Sequence, residues 1–328
     1  MFATLSKLTV LTLSSWLHTY PYEVFHIPSE HFHDPLINKE LASFEQAFTY
    51  PFSTEEHFHI QHGIDGNYFE FFERLGKPYY YVAVCTQEGK IQKTAPSGKT
   101  LEIEHHRGEI AAAGCGVLRT IPTRSGKTIP AWYICDLKVK ASYQGERLPL
   151  FILQQVALGR LMQCPRGYGI CMNPRVGEPK AAVIFKKHGP FGRLQTQTLN
   201  LYTLSAAAAE KNSSLIQAAL TTLGYATHDQ HVVFRSTHGA KDYLITNEET
   251  DQNYPWKLFH LQLSNDPSAA LFENGKADED GTYMLCAVEG TELNQALKKI
   301  CDAPTSTAQI VSYGMEEVDF NFLTSNQI

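Results

Sequence analysis

The sequence predicts an α+β protein, with a mixed, mostly antiparallel sheet flanked by helices over residues 1–204 and a second α+β domain over 205–328. Three observations lead there. Long runs rich in β-branched and aromatic residues, such as 79–86 (YYYVAVCT), 108–120 (GEIAAAGCGVLRT) and 131–140 (AWYICDLKVK), follow one another with only turn material between them. Such strands must reverse direction and pair antiparallel. Helical spacing of apolar residues is confined to short segments, and the helix and strand patterns start afresh after Ser205.

Element by element, 22–27 (YEVFHI) is a first strand. Residues 36–48 form a helix with Leu36, Leu41, Phe44 and Phe48 near one face, and 67–75 a second helix stopped by Gly76-Lys77-Pro78. The three strands named above come next, the first two separated by a polar hairpin loop over 87–107. A helix over 149–162 opens with proline, which its first turn tolerates. A strand at 168–172, a helix near 181–188 and a strand at 193–204 complete the first half. Beyond a boundary at 207–212, helices are predicted at 213–223 and 291–301. Strands are predicted at 231–236, 242–247, 256–264, 282–289, 308–313 and 318–323.

Composition removes several classes. The 328 residues are 43% hydrophobic, with 18 Phe and 16 Tyr, which excludes a disordered chain. Lys and Arg number 28 against 34 Asp and Glu, a net charge of -6, so binding of nucleic acid by phosphate neutralisation is disfavoured. No apolar run approaches the ~18 residues of a membrane span. The first residues, MFATLSKLTVLTLSSWLH, have a Ser/Thr-diluted apolar centre and no small-x-small site, and read as a structural element rather than a secretion signal. Seven cysteines, an odd number without CxxC spacing, fit a reducing, cytoplasmic setting.

Chemistry concentrates in 132–173. There a strand ending in LKV runs into a Gly-containing turn, an apolar helix and a second strand, GYGICMN. A helix that starts after such a turn presents unpaired backbone N–H groups, which together with the helix dipole suit phosphate or pyrophosphate. Arg147, with Lys138 or Lys140, adds positive charge.

The segment LKVKASYQGERLPLFILQQV, within the element order of 22–204, resembles the coenzyme A motif of the GCN5-related N-acetyltransferase family. GYGICMNP followed by AAVIFKKHGPF is similar to that family's second motif. The resemblance covers about 180 residues of the chain. It implies acetyl-CoA or another acyl-CoA as co-substrate, and an amine of a small molecule or protein as acceptor. It implies that backbone groups of Leu137, Lys138 and Val139 pair with pantetheine. The turn of Gln144, Gly145, Glu146, Arg147 and Leu148 would cradle the pyrophosphate, and Asn173 and Phe185 belong to the second motif. Lys186, Lys187 and His188 read as a solvated helix end, a position that could also touch the 3′-phosphate of coenzyme A.

Amide formation needs a neutral amine, although an alkylamine has a pKa of about 10.4, and it needs a proton for the departing thiolate. A backbone N–H near Leu137 or Lys138 can stabilise the oxyanion. Asp136 or Glu109 is the candidate base, and Tyr133 or Tyr168 the candidate acid. By strand alternation Asp136 is expected to point away from Cys135 and Leu137. The motif also departs from the family pattern: Arg147 and Pro149 replace small residues, and Phe185 stands where many members have tyrosine. These departures keep a second class open, an acyl-CoA-binding sensor without turnover. A third is a Cys-His hydrolase using Cys115 or Cys171 with His105, His106 or His188. Zinc binding by His31 and His33, or by His57, His59 and His62, is disfavoured, because the intervening Phe residues read as core alternation, and no metal is assigned. The second half shows no phosphate turn; it is either a degenerate second module or a domain shaping the acceptor pocket.

Overall fold

The computed structural model describes residues 21–51, 56–63, 66–94, 100–145, 147–160, 163–174, 183, 194–222, 241–247, 252–256, 258–260 and 281–328. The expected strand at 231–236, nearly all of the helix near 181–188, and Glu146, Phe185, Lys186, Lys187 and His188 lie outside them.

The first half opens with β1 (Tyr22–Ile27) and α1 (Pro35–Glu45). Asp34 caps α1, its carboxylate accepting from the N–H groups of Leu36 and Ile37, and proline at the helix start forfeits no bond. Short β2 (Tyr50–Pro51), β3 (Glu56–His62), α2 (Glu70–Leu75) and β4 (Lys77–Cys85) follow. The polar stretch after β4 is the expected hairpin, β5 (Gly89–Thr94) with β6 (Thr100–His105). Then come β7 (Ile110–Pro122), β8 (Thr128–Val139), α3 (Leu148–Arg160), β9 (Gly167–Met172) and β10 (Gln195–Ser205). The second half contains α4 (Ala206–Lys211), α5 (Ser213–Thr222), β11 (Lys241–Asn247), β12 (Gln252–Pro255), β13 (Leu258–His260), β14 (Thr282–Val288), α6 (Glu292–Cys301) and β15 (Ser306–Tyr313).

The fold is α+β. One nine-stranded, mostly antiparallel sheet has the order β1-β4-β7-β8-β9-β15-β10-β14-β13, and a four-stranded sheet has the order β12-β11-β3-β2. Both sheets run across the expected boundary at 204/205. Strand β15 lies between β9 and β10, and β11 pairs with β3 along its whole length.

Apolar side chains fill both faces of the large sheet. On one, Phe44, Phe69, Phe72, Tyr80, Tyr133, Tyr168 and Phe320 are buried together beneath α1, α2 and the segment after β15. On the other, Tyr81, Trp132, Leu148 and Ile152 pack under α3. A third cluster, including Tyr202, Leu285 and Leu297, sits under α4, α5 and α6.

One expected strand is corrected. Residues 318–323 largely alternate buried and half-buried side chains but form an irregular segment with a turn at 321–322, and Phe320 lies at φ 60°. Their alternation reflects Val318, Phe320 and Phe322 plugging the core from an irregular segment, with no partner strand. Among the described residues, no helix is long and apolar enough to cross a membrane.

Candidate functional site: a gap between two parallel strands

Strands β8 and β9 pair in parallel only at Trp132–Gly167, Tyr133–Tyr168 and Ile134–Gly169. Past that rung each pairs only on its outer side, β8 with β7 as far as Val139 and β9 with β15 as far as Met172. The large sheet therefore splits between them, opening main-chain groups of 135–139 toward the gap.

Two features hold the split on the β8 side. The β7–β8 ladder slips in register between Ala113 and Cys115, and Asp136 adopts φ 53° opposite the slip. This bulge puts Asp136 on the same side as Cys135, against the expected alternation, while Asp136 still points away from Leu137 as expected. Asp136 shares the α1 face with Lys138 and is bonded to it, while Leu137 faces α3. Gly114 lets α3 approach closely: a Cβ there would meet Leu137 Cδ1 at 3.1 Å and Ile152 Cγ2 at 3.2 Å.

Beyond β8, residues 141–143 make one 3-10 turn, in which Tyr143 is buried and its hydroxyl donates to Glu109. Glu109 also pairs with Lys140 Nζ at 2.7 Å. Burial would raise the Glu109 carboxyl, but the bonds from Lys140 and Tyr143 hold it below its ordinary range. Glu109 thus anchors the turn and stands apart from Asp136. Gly145 (φ 93°) and Arg147 (φ 57°) then twist the chain into α3. Gln144, Gly145 and Arg147 are exposed, and Leu148 is buried. The Arg147 carbonyl accepts from Leu150 and Phe151 N–H, and Pro149 has no N–H. At this turn the exposed Arg147 guanidinium is the positive group placed to meet an anion.

On the α1 face of the split lies a buried polar network. The Asp136 side chain is 4% exposed. Its Oδ2 accepts from Tyr80 (2.5 Å) and Tyr68 (3.1 Å), and its Oδ1 pairs with Lys138 Nζ at 2.5 Å. Lys138 also donates to Glu45 Oε1, and Glu45 is bonded twice by His62, through Nδ1 and through the main-chain N–H, each at 2.7 Å. Burial would raise the Glu45 carboxyl, yet His62 and Lys138 outweigh it and hold it at about 2. Burial works against the Lys138 charge, but Asp136 and Glu45 push its pKa above the usual lysine value. Burial and the Asp136 charge drive the Tyr68 and Tyr80 hydroxyls well above 10. Glu45, His62 and Asp136 bring possible ligand atoms within 4.8 Å of one another, and the ammonium of Lys138 supplies the positive charge between the carboxylates.

Tyr133 and Tyr168 stack at 5.0 Å one rung before the split. The Tyr133 hydroxyl donates to the Gln327 carbonyl, whereas the Tyr168 oxygen accepts from Arg119 at 2.7 Å. Burial raises both hydroxyls, with Arg119 opposing it. Asn173, just past β9, is tied to Thr307 by its main-chain N–H (2.9 Å) and its side-chain amide (2.8 Å).

Among the described residues, neither Cys115 nor Cys171 is paired with His105 or His106 as a hydrolase would need, and His188 lies outside them. Burial raises Cys115 well above the ordinary thiol range and Cys171 to about 11, the reverse of what a nucleophile needs. His105 instead neighbours Cys85, whose thiol burial also raises. Sequence reasoning missed Glu45, Tyr68 and Tyr80, which reach Asp136 only through tertiary packing, and weighed His62 only as a zinc ligand. It also passed over Gly114, readable as a glycine inside a strand.

No protein-family model and no curated protein matches the sequence. Among solved structures, the fold is similar to that of Saccharomyces cerevisiae N-myristoyltransferase with bound myristoyl-CoA: 12% identity, TM-score 0.46, covering 94% of this chain and 81% of that one. It is also similar to an Enterococcus faecalis conserved protein of unknown function described as a probable N-acyltransferase: 11% identity, TM-score 0.41, covering 90% and 73%. A Trypanosoma brucei acetyltransferase shares 16% identity at TM-score 0.28, covering 51% of this chain and 91% of that one. Each is a remote likeness in fold.

Proposed function

We propose that the protein is an acyl-CoA-dependent N-acyltransferase that moves an acyl group, acetyl in the simplest case, to an amine of a small molecule or protein. The observation that supports this reading best is the end of β8–β9 pairing at Ile134–Gly169, with α3 starting just beyond the free end of β8. A pantetheine arm is a hydrogen-bonding chain of the right width to enter such a gap and pair with 137–139. Gln144, Gly145, Arg147 and Leu148 then meet the pyrophosphate, and Asn173 borders the arm from β9. The donors named in the solved neighbours agree, myristoyl-CoA in the yeast enzyme and acetyl-CoA in a Clostridium acetobutylicum protein.

In this reading the acceptor arrives on the α1 face. The amine nitrogen attacks the thioester carbonyl carbon, its proton passes to Asp136, and the carbonyl oxygen is steadied by a main-chain N–H near Leu137. Collapse breaks the C–S bond and releases coenzyme A, whose sulfur takes a proton from Tyr168. The Tyr133 hydroxyl, engaged by Gln327, is the less available acid. Neither a membrane nor nucleic acid enters this reading, and seven free thiols suit the cytoplasm.

One observation favours a second reading, an acyl-CoA sensor: the Asp136 carboxylate is already bonded by Tyr68, Tyr80 and Lys138. Thermal shift with acetyl-CoA, followed by thiol release with a panel of amines, separates the two. A shift with amine-dependent release is expected; a shift without release favours the sensor, and neither removes both.

A further inference from the structure

The side chains of Glu45, Lys138 and His62 have no part in the chemistry above, yet they meet beneath α1. Three side chains hold Asp136 through its two carboxylate oxygens. Tyr68 and Tyr80 both bond Oδ2, and Lys138 alone bonds Oδ1. The bulge at φ 53° leaves the rotation of that carboxylate to its partners. Lys138 bridges Asp136 Oδ1 and Glu45 Oε1, so its own place depends on Glu45. His62 fixes both Glu45 oxygens, one through its ring and one through the main chain of β3. The other groups around this chain are Tyr50 on β2 and Lys241, which lies opposite His62 on β11 and donates to the Ile328 oxygen.

We propose that Glu45 and Lys138 are positioning residues which, anchored by His62, set the orientation of the Asp136 carboxylate from the β3 backbone. Its bearing on turnover rests on the acyl-transfer reading; its bearing on Asp136 does not. A merely stabilising ion pair would leave the Asp136–Tyr80 bond unchanged when its far end is altered.

The reporter is Tyr80, which donates to Asp136 and has no bond to Glu45. In full-length protein with 13Cζ-labelled tyrosine, Tyr80→Phe assigns the resonance. Glu45→Gln is expected to shift it, and Lys138→Arg, which keeps a cation between the two carboxylates, to stay closer to wild type than Lys138→Met. Glu45→Gln is also expected to lower kcat by about tenfold while KM for acetyl-CoA stays within about twofold. An unmoved Tyr80 signal in folded Glu45→Gln overturns the proposal. If that variant does not fold, identical Tyr80 signals in Lys138→Arg and Lys138→Met overturn it. A shifted Tyr80 signal in a protein that acylates no amine supports the positioning role and refutes the acyl-transfer reading.

Discussion

Asp136 shows how one residue resets a site. Unbroken alternation from Tyr133 would send both Asp136 and Lys138 to the α3 side, but the bulge, with Asp136 at φ 53°, turns the pair onto the α1 face, where Asp136 meets two tyrosines and an ammonium. Asparagine tolerates such an angle and keeps the shape without the negative charge. Asp136→Asn is therefore expected to lower the acylation rate by at least about 100-fold, the scale of a lost general base. Calorimetric affinity for acetyl-CoA should stay unchanged, and a fully active variant removes Asp136 from the mechanism. Lys241, 3% exposed, belongs to the same scale. Burial, with help from Lys138, lowers it from 10.5 to about 8. Below that value both states hold the proton and its burial costs in full. Between 8 and 10.5 the unfolded chain binds a proton that the folded chain does not, so this contribution to stability rises with pH. Lys241→Met should raise the free energy of unfolding near pH 7 by about 1 to 3 kcal/mol. It should also flatten the rise between pH 8 and 10.5 in urea titrations; a destabilised variant with the wild-type slope contradicts this. The residue types of the site were legible from 132–173, whereas Glu45 and His62 were not. They lie far from it in sequence and become neighbours only when α1 and β3 pack on the sheet.

At the scale of elements, the unit that positions the site is β7, β8 and α3. Gly114 permits their close contact, because a methyl group would press on Leu137 and Ile152 side chains at 3.1 and 3.2 Å. Gly114→Ala is expected to cost about 1 kcal/mol or more, seen as a lower urea midpoint with an unchanged m-value. An equally stable variant would show that α3 yields freely. Apolar runs and caps located most strands and helices within a few residues, because those strands are buried on at least one face. Two patterns misled for physical reasons. The bulge at Asp136 is invisible to a period of two, since its extra residue shows only as a register slip between partners. Residues 318–323 mimic a strand because alternate side chains are buried, yet an irregular segment buries Val318, Phe320 and Phe322 there. Strand β3 is hard to read because residues 57–61 are half-buried and its long partner, β11, lies far along the chain.

Over the whole molecule, the two halves share their sheets. With β15 inserted between β9 and β10, the second half completes the sheet whose split forms the candidate site. The sequence motif around 137–156 marked one wall of that split; the opposite wall, β9 with β15, required the three-dimensional order. The segment after β15 closes the far side of the core through Phe320 and Phe322 against Tyr168. The net charge of -6 belongs to the whole molecule too, and in the acyl-transfer reading it favours cationic acceptors. In the acyl-transfer reading, the wedge between β8 and β9 is a slot for a thioester-bearing arm. The most direct measurement is a crystal structure of the intact protein soaked with acetyl-CoA. The account predicts density for the arm along 137–139, with the pyrophosphate against Gly145, Arg147 and Leu148. Nucleotide density elsewhere, or a slot filled by the protein's own side chains at saturating ligand, would contradict it.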